Sequence, residues 1–138
     1  MTVLIDTNVV LDALLNNSEF TANSKEIFHF AEQKRFIGYI SASAVTDIFY
    51  ISQKKLGKKT AKEAIKHTLS IFYPATVTDQ DIYKALDLTW DDFEDSVQFV
   101  VGEGLPVNYI VTRNTQDFSS GNIQAVTPEQ FMQIIADM

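Results

Sequence analysis

The chain contains no cysteine, only three prolines and five glycines, and no apolar run long enough to span a bilayer. Without thiols there is no disulfide framework and no thiolate metal site, a composition that suits a reducing compartment. The N-terminus shows no basic segment followed by an apolar stretch, so no secretory leader is expected. A soluble cytoplasmic protein is the expectation. Basic residues are scarce too, with 11 Lys and Arg against 18 Asp and Glu and a net charge of −7. A nucleic-acid binder relying on counterion release alone would be basic. If this chain handles nucleic acid, a metal ion or a partner must offset part of the repulsion.

What is present is a core. Hydrophobic residues make up 46% of 138 residues, enough for one domain spanning 1–138 and too many for a disordered chain. Val3-Leu4-Ile5 is an apolar, β-prone run, as expected of a buried parallel strand. Further strands are expected over Phe36–Ile40, Ala75–Val77, Tyr109–Thr112 and Gln124–Val126. Between them lie helical patterns. One covers Val9–Leu15 and ends at Asn16-Asn17-Ser18. Another runs from a cap at Ser24 to about Gln33, with Ile27, Phe30 and Ala31 on one face. A third opens at Ser41 or Ser43 and breaks at Gly57. A fourth is capped by Thr60, with Leu69 and Phe72 in its stripe, and closed by Pro74. Later helices open at Thr78 or Asp79, with Leu86 inward, at Asp92, and around Pro128. Strands separated by helices imply a central parallel sheet, here a three-layer α/β/α sandwich.

Acids gather where such a sheet places ligands, beyond the carboxyl ends of its strands. Asp6 ends the first strand and is followed by Thr7 and Asn8 at a helix start. Asp47 lies on the helix after the second strand. Asp92 and Asp95, three apart, share a helix face within a cluster that includes Asp91 and Glu94. Asp117 follows the Tyr109–Thr112 strand. Oxygen ligands in this number suit Mg²⁺ or Mn²⁺, and there is no His/Cys set for zinc. Two such ions can activate a water and stabilise a leaving oxygen. Each acid also has a plainer reading. Asp92 and Asp95 suit a helix N-terminus, Asp117 an Asx-turn, and Asp47 a solvated face. Asp6 is the hardest to explain plainly, because it ends a buried strand. An aspartate phosphotransferase would need a second acid two residues on, where Asn8 stands.

The ordered motifs resemble a known family. Asp6-Thr7-Asn8-Val9, Asp92-Phe93-Glu94-Asp95-Ser96-Val97-Gln98, Ile110-Val111-Thr112-Arg113-Asn114-Thr115-Gln116-Asp117-Phe118 and Thr127-Pro128-Glu129 are similar, in order, to segments of PIN domains, the nuclease fold of VapC-like toxins. The resemblance implies a PIN-like fold with Asp6, Asp95 and Asp117 as metal-site acids. The family's helical Glu is best matched by Asp47, one methylene shorter, and Asn114 stands where many relatives carry Asp and others share the Thr-Arg-Asn form found here. Asp92 is an extra candidate ligand, and Thr7, Asn8, Ser43, Thr112 and Asn114 are candidate hydrogen-bonding support. It further implies a Mg²⁺- or Mn²⁺-dependent endoribonuclease giving 5′-phosphate and 3′-hydroxyl ends, the toxin of a toxin–antitoxin pair, with a small antitoxin partner and a homodimeric state. The alternative is a catalytically weak PIN domain that binds RNA or protein, motivated by Asp47 and Asn114.

Other conspicuous residues read as structural. His29 and His67 lie on separate helices. Phe28, Phe30, Phe49 and Tyr50 at helical spacing suit a core. Trp90 suits a packing anchor. Lys54-Lys55 with Lys58-Lys59 suits a solvated helix end, with RNA phosphates as the other option.

Overall fold

The computed structural model describes residues 1–16 and 18–138. Its five strands are β1 (Thr2–Ile5), β2 (Ile37–Ser41), β3 (Tyr73–Ala75), β4 (Tyr109–Val111) and β5 (Gln124–Val126). Its helices are α1 (Thr7–Leu15), α2 (Thr21–Glu32), α3 (Ala42–Leu56), α4 (Lys58–Ile71), α5 (Asp79–Asp87), α6 (Phe93–Glu103) and α7 (Pro128–Ala136). A 3₁₀ turn covers Thr115–Phe118. The sheet order is β3-β2-β1-β4-β5, and every pairing is parallel. β1 is therefore central, as its apolar sequence predicts.

Both faces of the sheet are covered, which is why β1 is apolar at successive positions rather than alternating. Val3 and Ile5 pack with Val10, Ile27, Ile48 and Phe131 on one face. Leu4 packs with Phe99, Ile110 and Phe118 on the other. No helix among the described residues is long and apolar enough to cross a membrane.

Caps set most helix starts. Ser41 accepts from Ala44 N at 3.3 Å, and Thr78 forms a capping box with Asp81. Thr127 does the same with Gln130, with Pro128 in the first turn of α7. Several expectations need correction. α2 starts at Thr21, not after Ser24, because Ser18 already supports the turn: its Oγ accepts from Phe20 N at 3.2 Å and its carbonyl from Thr21 N. Ser24 is buried inside the helix, where Phe28 is buried in the core and Phe30 packs partly buried against it. α4 starts at Lys58, before Thr60. Gly57, at φ 83°, breaks the chain and its carbonyl at once receives Ala61 N at 3.0 Å. β3 lies two residues earlier than expected. Phe72 is already extended, as a residue two before a proline within a strand can be, and Pro74 sits in an edge strand that tolerates its missing N–H. Leu86, Leu69 and Tyr50 are exposed, not inward. The helix stop expected at Asn16-Asn17-Ser18 falls at Asn16, which adopts φ 52°; Asn17 lies outside the described residues.

β2 approaches its covering segment so closely that only glycine fits. A Cβ on Gly38 would lie 2.5 Å from a Phe72 ring carbon. Gly38→Ala is expected to lose about 1–3 kcal/mol of stability, the usual cost of overpacking. Gly104→Ala, where the nearest atom is 3.5 Å from the added carbon, serves as the neutral comparison. Equal urea midpoints for the two variants would refute the packing argument.

Candidate active site

The strand order reverses about β1. The chain runs outward through β2 and β3, then returns to the other side of β1 for β4, making the β1/β4 boundary a switch point where parallel sheets open a crevice. Asp6 stands at that boundary. Its N–H donates to Val111 O at 2.9 Å, and its carbonyl accepts from Val9 N at 3.1 Å, so one residue closes the ladder and starts α1. The residue is only 5% exposed. Gln98 Nε2 donates to Oδ1 at 2.8 Å, and Thr112 Oγ1 donates to Oδ2 at 2.7 Å. Burial pushes the Asp6 pKa up; hydrogen bonds from Thr112, Gln98 and the Thr7 backbone oppose this, and the nearby Asp117 charge adds to it.

The start of α6 brings the next acids. Asp92 caps the helix, its Oδ1 accepting from Asp95 N at 2.9 Å. Part of this residue's role is thus the plain one, a satisfied helix terminus. Asp95, partly buried, is pushed up to about 7, first by burial and then by the charges of Asp6, Asp92, Asp117 and Glu94. Glu94 accepts a hydrogen bond from Thr7 Oγ1 at 2.9 Å. Burial raises its pKa, partly offset by Thr7, with the charges of Asp47, Asp6 and Asp92 adding further. A carboxyl near 7 can hold or release a proton at neutral pH.

Asp117 is exposed on the 3₁₀ turn, its N–H bonded to Asn114 O at 3.0 Å. Asp47 is exposed on α3, close enough for its charge to act on Glu94. Thr112 is fully buried, and its hydroxyl, besides holding Asp6, accepts from Asn114 N at 3.1 Å. Asn114 thus enters the site through its backbone. Ser43 bonds Ser41 Oγ at 3.2 Å, supporting the start of α3. A cleft of about 330 Å³ opens beside this cluster, lined by Trp90, Asp91, Asp92, Asp95, Gln116 and Asp117, with Thr89 and Ser120. Trp90 anchors its wall against Phe99, with ring centroids 4.8 Å apart.

Glu94 and Gln98 carry more of the site than the sequence alone assigned them. Glu94 stands in the recognised acid cluster, but nothing local marks it as the acid that meets Thr7. Gln98 offers a clearer signal, an amide inside the apolar stretch Val97–Val101. A buried side chain of that kind needs a partner, and the partner is Asp6. A second tie was also missed. Asp12, buried on α1, contacts Arg113 Nε at 3.1 Å, and the Arg113 guanidinium lies 4.8 Å from the Phe20 ring centroid. This pair joins the segment carrying Thr112 and Asp117 to α1. Burial raises the Asp12 pKa more than Arg113 and Ser18 lower it.

Among the described residues, no three His, Asp or Glu side chains are arranged to hold a metal ion as they stand. The donor chemistry nevertheless fits a hard cation. Every ionisable group that the shifts link here is a carboxylate, and Asp6, Glu94 and Asp95 all have raised pKa values. Two buried oxygens on the same segments, Asn8 Oδ1 and Gln98 Oε1, have no hydrogen-bond partner among the described residues. A divalent cation would relieve this excess of negative charge.

The fold is shared with several solved structures. The chain is similar to VapBC2 from Rickettsia felis, bound to a DNA fragment from its promoter (TM-score 0.70, 16% identity, covering 92% of this chain and 98% of that one). It is similar to VapC20 from Mycobacterium tuberculosis, a sarcin-ricin loop cleaving toxin (TM-score 0.69, 13% identity, 86% and 95%). A toxin–antitoxin complex from Klebsiella pneumoniae is also similar (TM-score 0.64, 20% identity, 91% and 97%). At these identities the likeness is one of fold. No curated protein sequence matches the chain. The PIN domain family model matches residues 2–116, a span containing Asp6, Asp47, Glu94, Asp95, Gln98 and Thr112. With the match running over most of its length, the chain belongs to the PIN domain family.

Proposed function

We propose that this protein is a divalent-metal-dependent endoribonuclease acting in the cytoplasm as the toxin of a toxin–antitoxin pair. The observation that carries the reading is the gathering of acids at the sheet's switch point: Asp6, held by Gln98 and Thr112, stands at the end of β1 near a cleft lined by Asp92, Asp95 and Asp117. Family membership and the fold shared with toxin structures support it. Asp6, Asp95 and Asp117 would hold Mg²⁺ or Mn²⁺, with Glu94, Asp47 and Asp92 at the rim. Such a cation lowers the pKa of a bound water and stabilises a leaving oxygen in phosphodiester hydrolysis. The chain's own residues do the rest. Gln98 and Thr112 fix the Asp6 carboxylate, and Thr7 orients Glu94. A small antitoxin and a second copy of the chain complete the assembly in this reading.

The alternative reading is a PIN domain that binds RNA or protein without cutting. The exposed, short-armed Asp47 favours it. Incubating the purified protein with a structured RNA and Mn²⁺ separates the two. Cleavage is expected with Mn²⁺ and not with EDTA. Equal cleavage in EDTA would defeat the metal site; calorimetric binding of Mn²⁺ with no cleavage would favour the binding module.

A further inference from the structure

The chain's positive charge is concentrated in one place. Six of its 11 Lys and Arg residues lie between positions 54 and 66, with Glu63 as the only acid there. All six lysines are exposed, at the end of α3, across Gly57 and along α4. Lys58, Lys62 and Lys66 recur every four residues, a spacing that sets them along one side of α4.

Between α3 and α4 lies a groove of about 480 Å³. Its walls are apolar and aromatic, from Val45, Phe49, Tyr50 and Ile65, and Lys62 and Lys66 flank it. Tyr50 is 57% exposed, with the Lys54 ammonium 4.5 Å from its ring centroid. The groove also reaches Thr46, the residue next to Asp47. Lysines beside an exposed aromatic ring are what a single nucleic-acid strand requires, since every base has a face to stack and every nucleotide a phosphate. This patch also answers the repulsion that an acidic cleft in a chain of net charge −7 presents to a polyanion.

We propose that the α3–α4 groove docks a single-stranded stretch of RNA outside the cleft, with phosphates at Lys62 and Lys66 and one base on Tyr50. The identification of that strand as substrate rests on the ribonuclease reading. A protein partner is the other occupant the test must separate. Charge complementarity favours RNA, because lysines outnumber acids six to one in this segment and two of them, Lys62 and Lys66, line the groove.

The experiment titrates a fluorescent oligouridylate of about ten nucleotides against the full chain in EDTA, so that binding is read apart from cleavage. The double variant Lys62→Glu, Lys66→Glu is expected to bind at least tenfold more weakly. Its salt slope should shrink by about 1.4, or ~0.7 for each single-strand phosphate that a lysine no longer neutralises. Tyr50→Ala should weaken binding about tenfold, and Tyr50→Phe should restore it, because stacking needs the ring and not the hydroxyl. Melting temperatures check that these surface changes leave the fold intact. Wild-type affinity and salt slope in the double lysine variant would overturn the proposal. So would an oligoglutamate peptide that binds the groove more tightly than oligouridylate, which would assign it to an acidic protein segment. The two readings fail separately. If RNA is never cut with Mn²⁺ but oligouridylate binding still depends on Lys62, Lys66 and Tyr50, the nuclease reading falls and the RNA-docking groove stands. If RNA is cut and these variants bind like wild type, the groove falls and the nuclease stands.

Discussion

Asp6→Ala is expected to lower Mn²⁺-dependent RNA cleavage by about 10²–10⁴-fold, the scale on which a central catalytic group contributes. Asp6 is the acid whose position is most tightly fixed, by Gln98 and Thr112 at 2.8 and 2.7 Å and by its own backbone in the β1/β4 ladder. Alanine also strands the Gln98 amide and the Thr112 hydroxyl in the core, and a buried group left unpaired costs about 1–3 kcal/mol. Loss of activity could then be confused with loss of fold. Asp6→Asn removes that ambiguity, because its amide oxygen still accepts one of the two hydrogen bonds while the charge is gone. Both variants should be inactive. The Asn variant should melt above the Ala variant in metal-free buffer. Cleavage by Asp6→Asn at the wild-type rate would remove Asp6 from the reaction. Asp47→Glu is the informative partner. A rise in turnover would mean that the short arm limits the site, and a fall would mean that the pocket is fitted to aspartate.

Asp95→Asn is expected to raise the melting temperature of the metal-free protein by several degrees at pH 8. The folded-state pKa of Asp95 is about 7, above its ordinary 3.8. From about pH 4 upward the unfolded chain has released this proton while the folded chain keeps it, so each step up in pH favours unfolding until the folded group also ionises near 7. The charged form is therefore a burden on the native state, fully present above pH 7 and fading as pH falls towards 4. Asp95 is partly exposed, and solvent screening reduces the effect to about 1–2 kcal/mol. For a domain of this size that corresponds to a shift of roughly 3–8 °C. The same burden makes Mn²⁺ or Mg²⁺ stabilising for the wild type, because an ion held by the folded acids adds stability by mass action, and the Asn variant should respond less. A variant that melts lower than wild type at pH 8, or one whose gain does not shrink with pH, would mark Asp95 as a structural residue of the helix start.

The central strand, the parallel sheet and the acid at its end were legible because they depend on local pattern. An apolar run buried on both sides looks different from an amphipathic one, and an acid that ends it stands out. Ser41 and Thr78 were legible as caps for the same reason. Ser24 and Thr60 misled because they have cap chemistry without cap position: Ser18 and Gly57 had already turned the backbone before them. The outward facing of Tyr50 and Leu86 was also hidden. Helical periodicity gives a stripe, but which residues at its margin reach the core depends on how closely the neighbouring helix packs. The bond between Gln98 and Asp6 spans 92 positions, and that from Thr112 spans 106. Partners so distant along the chain leave only indirect marks in it, such as an amide among valines.

Those separations also order the events of synthesis. Asp6 is made long before Gln98 and Thr112, and β1 meets β2 well before β4 exists to cover its other edge. At ~5–20 residues per second, roughly 5–20 s pass between adding Asp6 and adding Thr112. Throughout that interval the acid has neither of the side chains that hold it. In the ribonuclease reading, the site cannot assemble until Thr112 has been made and has emerged from the ribosome, which would keep the nascent chain from cutting RNA for most of its synthesis.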